Sequence, residues 1–215
     1  MVSAYAYSFW RAAHGATGLA SAGQYGGSQT GFIVTINPNL LSKRFETQGL
    51  SILFRAALAP QNGARQEAAT GLRWQPLRHV PVSVSIERRF YDKGSSRTAS
   101  YVAAGLDNVS LPAKLRLDAF GQAGFVSGAD AGGFYDLAVH GMRRIGAAGS
   151  IEIEAGAGVW SGGQNGTHRL DVGPSLRSKM YIGGKALRID ADWRFRVGGN
   201  AGPASGPAIT LSTSF

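Results

Sequence analysis

Apolar and polar residues alternate along nearly the whole chain. Between Leu187 and Val197, the residues Leu187, Ile189, Ala191, Trp193, Phe195 and Val197 share one parity, and Arg188, Asp190, Asp192, Arg194 and Arg196 share the other. Successive side chains of a β-strand point to opposite faces, so this stretch predicts a strand with one apolar and one charged face. The split recurs. Leu115, Leu117, Ala119 and Phe125 oppose Lys114, Arg116, Asp118 and Gln122. Ile151, Ile153, Ala155 and Val159 oppose Glu152 and Glu154, and Leu170, Val172 and Leu176 oppose Arg169, Asp171 and Arg177. Val82, Val84 and Ile86 oppose Ser83, Ser85, Glu87 and Arg89.

The pattern predicts twelve strands, over residues 2–11, 18–36, 49–59, 65–76, 80–92, 97–109, 113–126, 133–145, 149–161, 166–179, 185–198 and 206–215. The second is long, and a division near Gly26 and Gly27 gives thirteen. Residues 43–48 are compatible with a short turn of helix. Linkers after odd strands are rich in Gly, Asn, Asp and Ser, whereas those after even strands are tight or carry Pro.

Alternation alone fits a soluble β-sandwich or a lipocalin-like barrel. Three features favour a membrane barrel. The predicted strands are long, where soluble strands run about 5–6 residues and tilted membrane strands about 9–11. Aromatic residues on the apolar parity gather near strand ends: Phe90, Phe125, Tyr135 and Phe195 toward one rim, Trp74, Tyr181 and Phe215 toward the other, with Trp193 on the same face. Such residues read as lipid-facing girdles. Acids and bases share single strands, which a wet or salt-bridged lumen accepts. The predicted fold is therefore all-β, a transmembrane antiparallel up-and-down β-barrel of about twelve strands. An even count suits a bacterial single-chain barrel. With both termini periplasmic, the odd strands run outward and the Gly-rich linkers lie outside.

Composition changes this picture little. Of 215 residues, 31 are Gly and none is Cys, so disulfides, thiolate metal sites and thiol nucleophiles are excluded. The net charge of +9 invites a nucleic-acid reading, but the basic residues are spread over successive strands and no recognition motif accompanies them. No apolar run reaches the roughly 20 residues of a spanning helix. Met1 to Trp10 reads as a strand and not as a leader. An outer-membrane barrel must be exported, so residues 1–215 are expected to be one barrel domain, the C-terminal piece of a longer or processed protein.

The inward parity assigns Arg55, Arg73, Glu87, Arg89, Lys114, Arg116, Asp118, Glu152, Glu154, Arg169, Asp171, Arg177, Arg188, Asp190, Asp192, Arg194 and Arg196 to the lumen. Glu152 and Glu154 have a spacing that glycosidase carboxylates also use, but Arg169 and Arg177 on the next strand, with Lys114 and Arg116, are natural ion-pair partners. His14, His79, His140 and His168 form no metal-ligand spacing, and His140 shares the inward parity of Asp136. No catalytic motif, metal set or cofactor loop emerges. The charged wall reads either as a narrow polar pore for small polar solutes or polysaccharide, or as a salt-bridge filling of a barrel that anchors or displays a surface.

Five stretches carry a family resemblance: Gly26–Gly31, Gly71–Pro76, Ile86–Phe90, Leu117–Gly124 and Asp192–Arg196, together with the final Phe215. With these the chain resembles the C-terminal barrels of proteobacterial envelope proteins of the phage adsorption protein A and exopolysaccharide-export type. That resemblance implies an outer-membrane location, contact with membrane lipid and lipopolysaccharide, and a role in moving or displaying surface polysaccharide. A terminal aromatic on an amphipathic strand looks like the signal read by the barrel assembly machinery. The helical repeats that precede such barrels are absent from this chain, which leaves a periplasmic repeat partner as an expectation only.

Overall fold

The structure, a computed structural model, describes residues 2–12, 28–37, 49–58, 66–77, 79–92, 94–128, 131–183 and 185–215. Its strands are β1 (Val2–Arg11), β2 (Gln29–Ile36), β3 (Leu50–Leu58), β4 (Glu67–Trp74), β5 (Val82–Tyr91) and β6 (Arg97–Leu111), followed by β7 (Leu115–Val126), β8 (Gly132–Ala148), β9 (Ile151–Gln164), β10 (Thr167–Ile182), β11 (Lys185–Gly199) and β12 (Gly206–Ser214). Each strand pairs antiparallel with its sequence neighbours, and β1 pairs with β12, so the sheet closes into an up-and-down barrel. Closure runs from Tyr5 beside Ser214 to Arg11 beside Ala208. It is completed where the Phe215 amide donates to the Ala4 carbonyl (2.8 Å) and the Ala4 amide to that of Phe215 (3.1 Å).

The predicted strands and the observed ones coincide closely, although β8, β9 and β10 each run three residues beyond their predicted C-terminal ends. The first part of the predicted second strand, and the stretch 43–48, lie outside the described residues; β2 itself covers Gln29–Ile36. The predicted seventh strand begins too early. Pro112 cannot donate to a ladder, and a single 3-10 turn over Pro112–Lys114 takes its place, with Ala113 and Lys114 at φ of 60° and 59°. Lys114 is therefore exposed on a tight turn, and its assignment to the lumen is corrected.

Burial is inverted relative to a soluble protein, whose large charged side chains stay in water. Among the most enclosed side chains are Arg89, Arg177, Glu87, Glu154 and Asp171, all inside the barrel. Leu72, Ile86, Leu176 and Ile189 are exposed on the outside, at 41% or more. Trp74, Phe90, Phe125, Tyr135, Trp193, Phe195 and Phe215 are likewise exposed. Arg88 is the exception on the outer parity of β5. Its guanidinium reaches Thr98 (3.0 Å) and Ser96 (2.5 Å) at the rim remote from the termini, as a long cationic side chain does when its stem covers apolar surface.

One part of the interior is apolar. Leu53, Ala99, Tyr101, Val126 and Phe134 pack together, flanked by Ile33 and Ala103. Gly124 makes this possible, because a Cβ there would lie 2.7 Å from the Tyr101 Cα. Gly141 has no such neighbour within 4 Å. Gly124→Val should therefore lower barrel stability by about 1–3 kcal/mol while Gly141→Val leaves it nearly unchanged. Urea unfolding of the refolded protein, followed by tryptophan fluorescence, measures both; equal losses would contradict the packing described.

Candidate functional site: the barrel lumen

Inward-facing charges are not spread evenly but gather in three clusters. The first joins β3, β4 and β5. Arg55 pairs with Glu67 and, at 2.8 Å, with Glu87; Arg89 donates to the same Glu87 oxygen at 2.6 Å. Tyr101 on β6 donates its hydroxyl to the other Glu87 oxygen (3.2 Å), and the Arg89 guanidinium lies 5.3 Å from the Phe134 ring centre. Period-two spacing creates this arrangement. Glu87 and Arg89 share one face of one strand, and the register places Ala69, beside Arg55, opposite Arg89.

The second cluster centres on Arg177 of β10. It pairs with Asp118 of β7 and Asp190 of β11, and lies 3.7 Å from Glu154 of β9. Glu154 also meets Arg116 at 3.0 Å and Lys179 at 3.1 Å, and Arg188 meets Asp190 at 2.6 Å. Glu152 takes Arg116 (3.1 Å) and Arg144 (3.2 Å). The two glutamates are thus ion-paired, as the pattern suggested. The partner Arg169 was misplaced, because it sits near the far end of β10 while Glu152 lies near the end that holds the termini. Arg144 supplies the missing cation.

The third cluster stands at the rim remote from the termini. Arg11 (2.8 Å) and Arg169 (2.6 Å) both donate to Oδ2 of Asp171. The same two arginines hold the β11–β12 loop. Arg169 donates to the carbonyls of Ala201 (3.3 Å) and Pro203, Arg11 to that of Ala204 (3.2 Å), and Arg196 to that of Ala201 (3.0 Å). Ala201 and Pro203 are buried, so this loop folds inward over the mouth. Arg194 pairs with Asp192 (3.1 Å), and its guanidinium is sandwiched between the rings of Trp160 (4.3 Å) and Phe9 (4.7 Å). His140 is buried edge-on against Trp160 at 5.2 Å. Among the described residues no group of His, Asp and Glu has the geometry of a metal site.

Between these clusters runs a cavity of about 800 Å³ lined by residues of all twelve strands. On β1 its lining extends from Ser3 to Arg11, nearly the full strand. Arg55, Arg73, Glu87, Arg89, Asp118, Arg169, Asp171, Arg188, Asp190, Asp192 and Arg194 contribute to its wall. Arg116, Glu152, Glu154 and Arg177 belong to the ion-pair network behind it, and Arg196 keeps the inward parity at the rim. Arg73 donates to Ser85 (3.4 Å) and, among the described residues, forms no ion pair.

Pattern reading missed several lining residues. Tyr5, Tyr7, Phe9 and Arg11 all face inward on β1, yet Val2, Ala4 and Ala6 on its other face are equally uncharged, so alternation carried no direction there. The parity that Arg11 shares with Phe9 was the available signal. Phe120 and Trp160 also line the cavity, interleaved with polar residues that were noticed first.

No family model matches the chain, and no curated protein matches it in sequence. Solved structures similar to it include the NanC porin, at 10% identity over 99% of this chain and 98% of that one, with a TM-score of 0.48. A second is the β domain of the Bordetella autotransporter BrkA, at 11% identity, 99% and 96% coverage and a TM-score of 0.46. A third is a bacterial polysaccharide outer membrane secretin, at 8% identity, 100% and 98% coverage and a TM-score of 0.45.

Removing the centre of a buried ion-pair network leaves its partners charged and unmatched, which costs about 3–5 kcal/mol. Arg177→Met should destabilise the barrel by about that amount, since Asp118, Asp190 and Glu154 all lose a cation. Arg188→Met, at the exposed edge of the same cluster, should cost about 1 kcal/mol or less. Equilibrium unfolding in vesicles distinguishes the two, and equal effects would remove Arg177 from the centre of the network.

Proposed function

We propose that the chain is a narrow polar pore of the bacterial outer membrane, passing small polar solutes or polysaccharide. The observation that carries this reading is the cavity along the barrel axis, walled by paired charges and enclosed by an apolar exterior. A closed barrel satisfies every backbone group internally, which is what lipid requires of a spanning structure. The exposed aromatic residues on both rims serve as lipid-facing girdles, and Phe215 at the end of β12 serves as the handle for assembly machinery. In the wall, Arg and Asp or Glu side chains offer hydrogen bonds to passing solutes, and most of the enclosed charges are matched by one another.

A second reading, a closed barrel that anchors or displays a surface, is favoured by one feature. The loop held by Arg11, Arg169 and Arg196 folds over the far mouth. Planar-bilayer recording separates the two readings. The wild-type protein should give small conductance steps. Arg169→Ala, which frees the Ala201 and Pro203 carbonyls, should enlarge them. Arg194→Glu should shift ion selectivity toward cations. A bilayer that stays silent with both wild type and Arg169→Ala would leave the surface-display reading standing alone.

A further inference from the structure

The β1 side of the lumen differs from the rest of the wall. Tyr5, Tyr7 and Phe9 face the cavity in succession, about 7 Å apart as alternate residues of one strand. Their direct partners on β12 are Ser214, Ser212 and Thr210, all of which line the same cavity. Two open aromatic–hydroxyl pairs, at Tyr5 and Tyr7, therefore repeat along the axis, while the Phe9 ring is covered by the Arg194 guanidinium (4.7 Å) and ends the lane. The Tyr5 and Tyr7 rings stack at 6.0 Å with 25° between their planes. Tyr7 lies against Gly31 of β2, where an added Cβ would come within 2.9 Å of its ring. The absent side chain lets the ring lie flat along the wall. Tyr5 remains 42% exposed although it faces inward. Arg188 and Asp190 of β11 flank this lane on one side, and Arg55 of β3 and Arg73 of β4 on the other, Arg73 without an ion pair among the described residues.

We propose that this lane binds a linear oligosaccharide, one sugar ring per aromatic–hydroxyl pair. The inference deepens the pore reading by naming a solute class, and it rests on that reading for its place in transport. A lane of aromatic faces offers nothing to a small anion, and hydroxyl and guanidinium groups would be left unpaired against a hydrocarbon chain. A pyranose ring has both surfaces required. Its C–H face packs on a flat aromatic ring, and its rim of hydroxyls exchanges hydrogen bonds with Ser, Thr, Arg and Asp. Repetition at strand spacing favours a chain over a single sugar. Arg73 adds a cation for a carboxylate-bearing sugar.

The test uses the full chain refolded in detergent, titrated with a neutral glucose hexamer, a uronic acid hexamer and glucose itself, with binding followed by intrinsic fluorescence and calorimetry. At least one hexamer should bind saturably, about tenfold or more tighter than the monomer. Tyr5→Ala with Tyr7→Ala should weaken it by about tenfold or more, whereas Tyr7→Phe, which keeps the ring, should stay within about threefold. Arg73→Gln should weaken only the uronate. Saturable binding of neither hexamer, or binding unaffected by the double substitution, overturns the proposal. Adding the hexamer to an open channel separates the two layers of the account. A channel that conducts while no hexamer binds leaves the pore and removes the lane, and hexamer binding in detergent with a silent bilayer leaves the lane and removes the pore.

Discussion

Pairing β1 against β12 leaves the sheet with no free edge, so each strand hydrogen-bonds on both sides. An open sheet of this length would present a row of unpaired amides and carbonyls to lipid or to another chain. With the backbone satisfied, side chains decide only which face is which. The outer parity carries Leu, Ile, Val and aromatic residues, and the inner parity must then receive the charges. The shape follows from closure, and the inversion of burial follows from the surroundings that closure permits.

Enclosing charges imposes a second demand. A barrel of this size is too narrow to leave every Arg and Glu fully hydrated, so each enclosed charge needs partners from neighbouring strands. Arg177 answers it by drawing on β7, β9 and β11 at once, and Glu87 by drawing on β3, β5 and β6. The clusters centred on Arg177 and Glu87 brace the wall on either side and leave β1 and β12 free of charge except at the far rim, where Arg11 meets Asp171. The aromatic lane occupies that free side.

How far the sequence revealed this depended on how far two faces of a strand differ. On β11 the contrast between Ile189 and Asp190 is complete, and both the strand and its facing were legible. On β1 both faces are apolar or aromatic, and only Arg11 marked the inner one. Parity also says nothing of height along the axis. Arg169 and Arg177 look equivalent on β10, yet one meets Asp171 at the far rim and the other meets Asp118 and Asp190 nearer the middle, because register and barrel shear set which residues share a level. Lys114 follows the alternation of β7 but is taken out of the strand by Pro112. Leu53 shares the inward parity of Arg55 yet is apolar, because Phe134 and Val126 offer it an apolar pocket that no single strand discloses.

The central claim is that the apolar face lies in lipid and the charged face encloses the lumen. The chain's four tryptophans allow a direct measurement. Trp193 is exposed on the outer parity of β11, whereas Trp160 lines the cavity beside Arg194. Two variants, each keeping one of these and replacing the other three tryptophans with Phe, are reconstituted into vesicles whose acyl chains carry bromine. Bromine quenches only indoles in contact with the chains. The account predicts strong quenching of Trp193 and little of Trp160. Quenching of Trp160 with Trp193 unaffected, or quenching of neither, would contradict it.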